Sequence, residues 1–327
     1  MTLFSPAAPN ISRRQAVTQA GVLVGAALAG APSTIVAAES KTPRTGAGGG
    51  FRFGLNTATI RGQKLGLVGE IEVTAKAGYQ AIEPWVASIE AYQKVGGSLP
   101  DLKRRIAEVG LTVESAIGFP QWIVDDDAKR AQGLERAKFE MDLVAQIGGK
   151  RLAAPPTGAT DLPKLEWMKA AERYRALLEA GDQIGVVPQL ELWGFSKNLG
   201  RLGECAGLAI ETGHPKACVV ADIYHLYKGG SDVAGLRLLN PHAIHVLHMN
   251  DYPADPPRER IDDSYRLYPG DGVAPVTEIL RTLHDNGGRT VLSLELFHRK
   301  YWEMDALEVA RAGLEKMKSA VGQALSR

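Results

Sequence analysis

From Phe51 onward the chain alternates between two hydrophobic patterns. Short apolar runs of four to eight residues give way to longer stretches in which apolar residues recur every three or four positions. The short runs at 51–56, 79–85, 111–118, 150–155, 186–193, 216–223, 243–250 and 289–296 predict strands. The amphipathic stretches at 64–78, 99–109, 128–147, 164–184, 199–212, 233–239, 273–286 and 305–325 predict helices. Gly78, Gly110, Gly148, Gly185, Gly213 and Gly287 each fall between a predicted helix and the next strand. Glycine tolerates the left-handed backbone that ends a helix, so their placement supports the boundaries. Eight strand–helix units in about 275 residues match one α/β domain folded as a single (β/α)8 TIM barrel. A doubly wound sheet fits less well, because Asn56-Thr-Ala-Thr-Ile60 follows the first strand where a glycine-rich nucleotide loop would stand.

Composition narrows the function classes. The chain is 45% hydrophobic and 23% charged, with 38 basic residues against 37 acidic ones. No Lys/Arg-rich block supplies a nucleic-acid footprint. Cys205 and Cys218 are too few for a disulfide framework and lack zinc-type spacing; they read as buried thiols, with one bridge left open if the chain is exported.

Export is expected from the first 38 residues. Ser12-Arg13-Arg14-Gln15 precedes an uncharged run at 16–31, and Val36-Ala37-Ala38 offers a small-residue cleavage pattern. The paired arginines before a weakly hydrophobic run resemble a twin-arginine signal, although Ala16 stands where a bulky residue is usual. The run is too short and too rich in Ala and Gly for a stable membrane anchor. Residues 1–38 are therefore expected to be a signal peptide, 39–50 a flexible linker and 51–327 the barrel, working in the periplasm or outside the cell.

The candidate chemistry lies where strands end. The fifth ends in Glu191, the sixth in Asp222, the seventh in His248 and the eighth in Glu295. In a barrel these ends open onto one face, where active sites sit. Alternation puts Val220 and Asp222 on one side of their strand, as it does Val246 with His248, and Ser293 with Glu295. Three carboxylates with one imidazole suit Mn2+, Mg2+, Co2+ or Zn2+. A lone acid in a strand is more often an ion-pair partner, but three buried together without a cation are strongly unfavourable. Of the other candidates, His225 follows Asp222 by three residues and is expected to contact substrate. Arg266 holds a substrate oxygen or pairs with Asp262 or Asp263. Glu83 ends the second strand, as a hydroxyl ligand or a structural acid. Trp85, Trp122 and Trp193 form an apolar wall for a sugar ring or pack as core. His245 has the opposite parity to His248 and reads as structural.

Leu190-Glu-Leu-Trp-Gly194, Asp222-Ile-Tyr-His225, His248-Met-Asn-Asp251, Arg266-Leu-Tyr-Pro-Gly-Asp-Gly272 and Leu294-Glu-Leu-Phe297 resemble motifs of the xylose isomerase-like barrels. More narrowly they resemble the sugar phosphate isomerase/epimerase group, which includes inosose isomerases and ketose 3-epimerases. The resemblance implies a divalent metal on Glu191, Asp222, His248 and Glu295. It further implies substrate contacts from His225 and Arg266, and proton handling by the two glutamates. Glu83-Pro-Trp85 and Gly118-Phe119 stand where endonuclease IV-like relatives need further histidines, which disfavours DNA repair. The expected activity is isomerisation or epimerisation of a keto-sugar or keto-polyol, unphosphorylated because export separates it from cytosolic sugar phosphates. The alternatives are a lyase or dehydratase acting on a 3-keto-glycoside or dehydroshikimate-like acid, and an exported sugar-binding barrel without catalysis. The partner implied is a small-molecule carbohydrate or polyol; homo-oligomers are compatible with it. The loop at 252–268, which carries Arg266, is expected to set specificity.

Overall fold

The computed structural model describes residues 50–326. The expected leader at 1–38, and the linker up to residue 49, lie outside them. Eight parallel strands form one curled sheet in the order β3-β2-β1-β8-β7-β6-β5-β4. They are β1 (Arg52–Asn56), β2 (Ala81–Glu83), β3 (Thr112–Val113), β4 (Arg151–Ala154), β5 (Val187–Glu191), β6 (Val219–Asp222), β7 (Val246–Met249) and β8 (Val291–Leu294). A parallel bridge between Ala116 and Leu152 joins the two edges. The barrel is closed, as the strand–helix alternation predicts.

The main helices are α1 (Gly66–Ala77), α2 (Val86–Lys94), α3 (Leu99–Glu108), α4 (Asp127–Gln146), α5 (Trp167–Ile184), α6 (Leu202–Glu211), α7 (Ile223–Lys228), α8 (Val276–Asp285), α9 (Arg299–Trp302) and α10 (Ala306–Leu325). The six helix-ending glycines all adopt positive φ, between 60° and 96°. Several features depart from the expected pattern, among them α2 and α9, which no expected helix covers. The stretch 233–239 forms a 3-10 helix over Val233–Leu238, while the six-residue α7 follows β6 directly. The third strand pairs over two residues and lapses at Glu114, whose carboxylate is held by Arg52, Lys150 and Arg151. Cys205 and Cys218 are buried free thiols. No helix among the described residues is long and apolar enough to cross a membrane.

The barrel interior is layered by the two-residue strand repeat. Ala81, Val220, Val246 and Val291 form an apolar floor of their own. A methyl group on Gly54 would meet Val291 at 3.2 Å, so this layer has no spare room. Two residues further along the same strands come Glu83, Asp222, His248 and Ser293, with His248 in register with both Asp222 and Ser293. A dry floor thus supports a polar layer that bulk water cannot enter from below.

One buried acid stands apart from that layer. Glu70 lies on the buried face of α1 with Leu67, Ile71 and Thr74, and one of its carboxylate oxygens has no hydrogen-bond partner. Burial raises its pKa from 4.5 to about 7, against the opposing charge of Arg61 and a hydrogen bond from Thr57. The folded state therefore keeps a proton that the unfolded chain releases. The associated stability is complete below pH 4.5 and is lost as pH rises through about 7. Glu70→Gln is expected to remove most of this decline, which amounts to up to about 3 kcal/mol. Urea unfolding at about pH 5 and about pH 8.5 checks it, and equal effects of the substitution at both values contradict it.

Candidate metal centre

Asp222 shows how the local sequence builds the site. As the last residue of β6 it caps α7, its Oδ1 accepting from the His225 amide at 2.9 Å. Its second oxygen is left to face the barrel axis, 3.6 Å from His248 Nδ1. Asn250 supports this turn by accepting from the Tyr224 amide at 2.8 Å and donating to Asp222 Oδ1 at 3.3 Å.

His248 is fully buried and stands between two sets of carboxylates. Its Nδ1 lies 3.1 Å from Glu295 Oε2, 3.6 Å from Asp222 Oδ2 and 3.8 Å from Glu191 Oε1. On the other edge Nε2 is 3.1 Å from Glu83 Oε2, yet neither nitrogen makes a well-aligned hydrogen bond. Ligand atoms of Asp222, His248 and Glu295 lie within 4.8 Å of one another. Glu191 stands beside this tight triad rather than in it, and its buried Oε2 has no partner. Unpaired buried polar atoms cost about 1–3 kcal/mol each, so their concentration on one axis points to a ligand. Two carboxylates and an imidazole brought together, with the Glu191 carboxylate beside them, fit a divalent cation such as Mn2+, Mg2+, Co2+ or Zn2+.

The electrostatics divide the acids. Burial opposes the charge on Asp222, but Arg266, His225 and His248 hold its pKa well below the usual value. Burial raises Glu191 to about 8, reinforced by the negative charges of Glu295, Asp222 and Glu83 and partly offset by His248. His248 is raised well above the usual value, since Glu295 and Glu83 outweigh the cost of burying its charge. Burial lowers His225 to about 4, leaving it neutral near pH 7.

Arg266 is the counter-cation of the group. Its Nη1 donates to Asp222 at 2.7 Å and to Glu295 at 2.8 Å, its Nε donates to Asp263 at 3.0 Å, and Nη2 lies 3.1 Å from His225 Nε2. Its acidic partner in the preceding loop is thus Asp263, while Asp262 instead accepts from the Ser264 amide. The Asp251 carboxylate fastens the Arg266 loop, accepting the amides of Tyr252, Gly270, Gly272 and Ala274. Gly272 must be glycine here, because a Cβ would come within 2.3 Å of Asp251 Oδ1.

A cavity of about 180 Å³ opens above these groups. Glu191, His225, Arg266 and Glu295 line it, walled by Trp85, Phe119, Trp193, Phe195 and Phe297. Two expected substrate contacts are corrected. Trp122 is buried away from this cavity, donating to the Pro155 carbonyl and packing on Tyr174. Its position in the loop before α4 turns it outward from the axis. Glu83 lies behind His248, where Ser293 donates to it at 2.7 Å and Asn56 at 3.0 Å, outside the lining of this cavity. The sequence reading also passed over Asn56, which bonds Glu83, Glu295 and the Trp85 indole at once. A polar residue ending the buried first strand was the available signal for it.

Comparison with known proteins agrees with this geometry. Residues 71–320 match the family described as the xylose isomerase-like TIM barrel, and the chain belongs to that family. An inosose isomerase of Bacillus licheniformis is 25% identical over 193 residues, covering 58% of this chain and 69% of that protein. A 3-dehydroshikimate dehydratase of Pseudomonas aeruginosa is 24% identical over 242 residues, 70% of this chain but 36% of the dehydratase. Among solved structures, the IolI protein with a bound zinc atom superposes with a TM-score of 0.77 at 21% identity, over 84% of this chain and all of that one. An L-ribulose 3-epimerase superposes at 0.68 and 20% identity, over 84% of this chain and 95% of that one. These relatives carry the names of a sugar isomerase, an epimerase and a dehydratase.

Adding Mn2+ or Zn2+ to the metal-stripped protein is expected to raise its thermal midpoint. The gain is about 2.7 kcal/mol of stability when the free ion is at 100 times its dissociation constant. Asp222→Asn and His248→Ala should abolish the shift. Glu83→Gln keeps the acceptor but removes the charge behind His248, and should weaken binding by about 10–100-fold. Calorimetry of the four proteins reads each outcome, and an unchanged shift in His248→Ala contradicts the site.

Proposed function

We propose that the protein is a divalent-metal-dependent isomerase or epimerase of an unphosphorylated keto-sugar or keto-polyol, acting by proton transfer next to a carbonyl. The observation that carries the reading is Glu191. It lines the cavity, keeps one buried oxygen without a partner, and has its pKa raised to about 8 by burial first and neighbouring carboxylates second. A carboxylate with affinity for a proton near neutral pH, one oxygen without a partner and a place beside an aromatic-walled cleft is suited to general base work.

Glu191, Asp222, His248 and Glu295 would hold the cation. Bound there, a divalent metal supplies Lewis-acid polarisation of the substrate carbonyl and offsets negative charge on its oxygens. Glu191 takes the proton from the carbon beside the carbonyl. Glu295, which lines the same cavity, takes a proton from solvent and delivers it to the other face of the substrate. Returned to the same carbon it inverts the centre; returned to the former carbonyl carbon, with the hydroxyl proton also transferred, it moves the carbonyl along the chain. Arg266 and His225 hold the substrate oxygens. Arg266, the one cation in the cavity lining, already answers Asp222, Asp263 and Glu295, which leaves it suited to an uncharged substrate oxygen more than to a phosphate. The likeness to dehydroshikimate dehydratases supports a second reading, in which the same abstraction expels a β-leaving group as a lyase. On this proposal residues 1–38 direct the barrel out of the cytosol, and N-terminal sequencing of the secreted form would find a start after Ala38.

The test is solvent-proton exchange. The metal-loaded enzyme in D2O is expected to exchange the α-proton of a keto-sugar, followed by NMR across a panel that also reports isomerisation and elimination. Glu191→Gln and Glu295→Gln should each lower exchange by about 10²–10⁴-fold. Full exchange in both variants removes the assignment, and no exchange on any substrate would favour a binding protein without catalysis.

A further inference from the structure

The mouth of the cavity is built of rings. Phe297, Trp85, Phe119, Trp193, Phe195 and His225 follow one another around the rim, with successive centroid separations of 6.2, 5.2, 6.0, 5.3 and 5.8 Å. Phe119 is 39% exposed and Phe195 50% exposed, so the outer part of this arc presents aromatic surface to water. Leaving such faces hydrated forgoes about 25 cal/mol for each Å² that packing would bury. A contiguous exposed apolar patch bordering a polar cleft marks a binding surface.

Size and charge define what it binds. The cavity measures about 180 Å³. Pockets that swallow a whole drug-sized ligand run from about 300 to 1,000 Å³, so this one holds a single small ring and leaves the rest of a larger substrate on the rim. The ionisable groups lining it are Glu191, Asp263, Glu295, Arg266 and the neutral His225. Arg266, the one cation among them, is already paired with Asp222, Asp263 and Glu295, so the side chains of the lining offer no unpaired cation to a phosphate or carboxylate. A flat uncharged ring would meet π faces on this rim.

We infer that the aromatic rim is an aglycone subsite and that the substrate is an uncharged glycoside. Its second ring packs against the Phe119, Trp193 and Phe195 part of the rim while the keto-bearing ring enters the cavity. The inference rests on the proton-transfer reading for the identity of the reacting ring. The recognition chemistry is an apolar C–H or π face, which a second sugar and an aromatic aglycone both present.

The experiment uses the full-length barrel loaded with Mn2+ and probes that lack a carbonyl, so that binding is read without turnover. Calorimetry compares methyl β-glucoside with methyl β-cellobioside and p-nitrophenyl β-glucoside, with glucose 6-phosphate as the anionic control. At least one two-ring probe is expected to bind about tenfold or more tightly than the one-ring probe, a difference of about 1.4 kcal/mol. A preference for the cellobioside identifies a second sugar, and a preference for the aryl glycoside an aromatic aglycone. F119A and F195A should each shrink the two-ring preference to within about twofold, and F195L, which keeps apolar bulk without a flat face, should give an intermediate ratio. Equal affinity for one- and two-ring probes, tightest binding of glucose 6-phosphate, or a preference that survives both alanine substitutions overturns the subsite. If two-ring binding holds while no keto-sugar exchanges its proton in D2O, the proton-transfer reading fails and the subsite stands. If free keto-sugars exchange but no two-ring preference exists, the subsite alone fails.

Discussion

The interior of this barrel depends on how buried negative charge is compensated. Glu83, Glu191, Asp222 and Glu295 are each at most 4% exposed, and Asp222 is fully enclosed. Burying ionised carboxylates without partners costs several kcal/mol for each ion, so the group persists only because cations and donors meet it. Arg266 answers Asp222 and Glu295, while Asn56 and Ser293 answer Glu83. Glu191 lacks such an answer, and burial raises its pKa to about 8. The unevenness of the compensation sets Glu191 apart from the acids that Arg266, Asn56 and Ser293 answer.

That constraint explains features far from the axis. Arg266 sits in a long loop, where a buried guanidinium would be hard to hold in place without support. Asp251 supplies it by gathering four backbone amides, and the backbone of Asp251 pairs with Leu267 in both directions. The loop expected to set specificity is therefore also the loop that neutralises the site. The apolar floor of Ala81, Val220, Val246 and Val291 serves the same end from below, because a dry base strengthens every electrostatic interaction above it.

Much of this was legible in the linear chain because the relevant signals are local. Strand alternation has a period of two, so the inward parity of Asp222, His248 and Glu295 followed from their distance to Val220, Val246 and Val291. The same parity assigned His245 away from the axis. Helix-ending glycines depend on one residue's backbone freedom, and all six marked their boundaries. The short α7 and α9 escaped notice because one or two turns are too brief for a hydrophobic period to register.

What the sequence by itself determined is the barrel and the set of strand ends facing its mouth, since both follow from repeats within a few residues. Only the tertiary structure decided what each side chain does there. Glu83 and Glu295 both come at strand ends, yet one meets Nε2 of His248 and the other Nδ1, because they stand on opposite sides of β1 in the sheet. Trp85 and Trp122 differ in the same way, one on the rim and one packed on Tyr174. Asn56 became a hub by reaching Glu83 and Glu295, 27 and 239 residues away. Such roles depend on distances between strands remote in sequence, and only closure of the barrel fixes those distances.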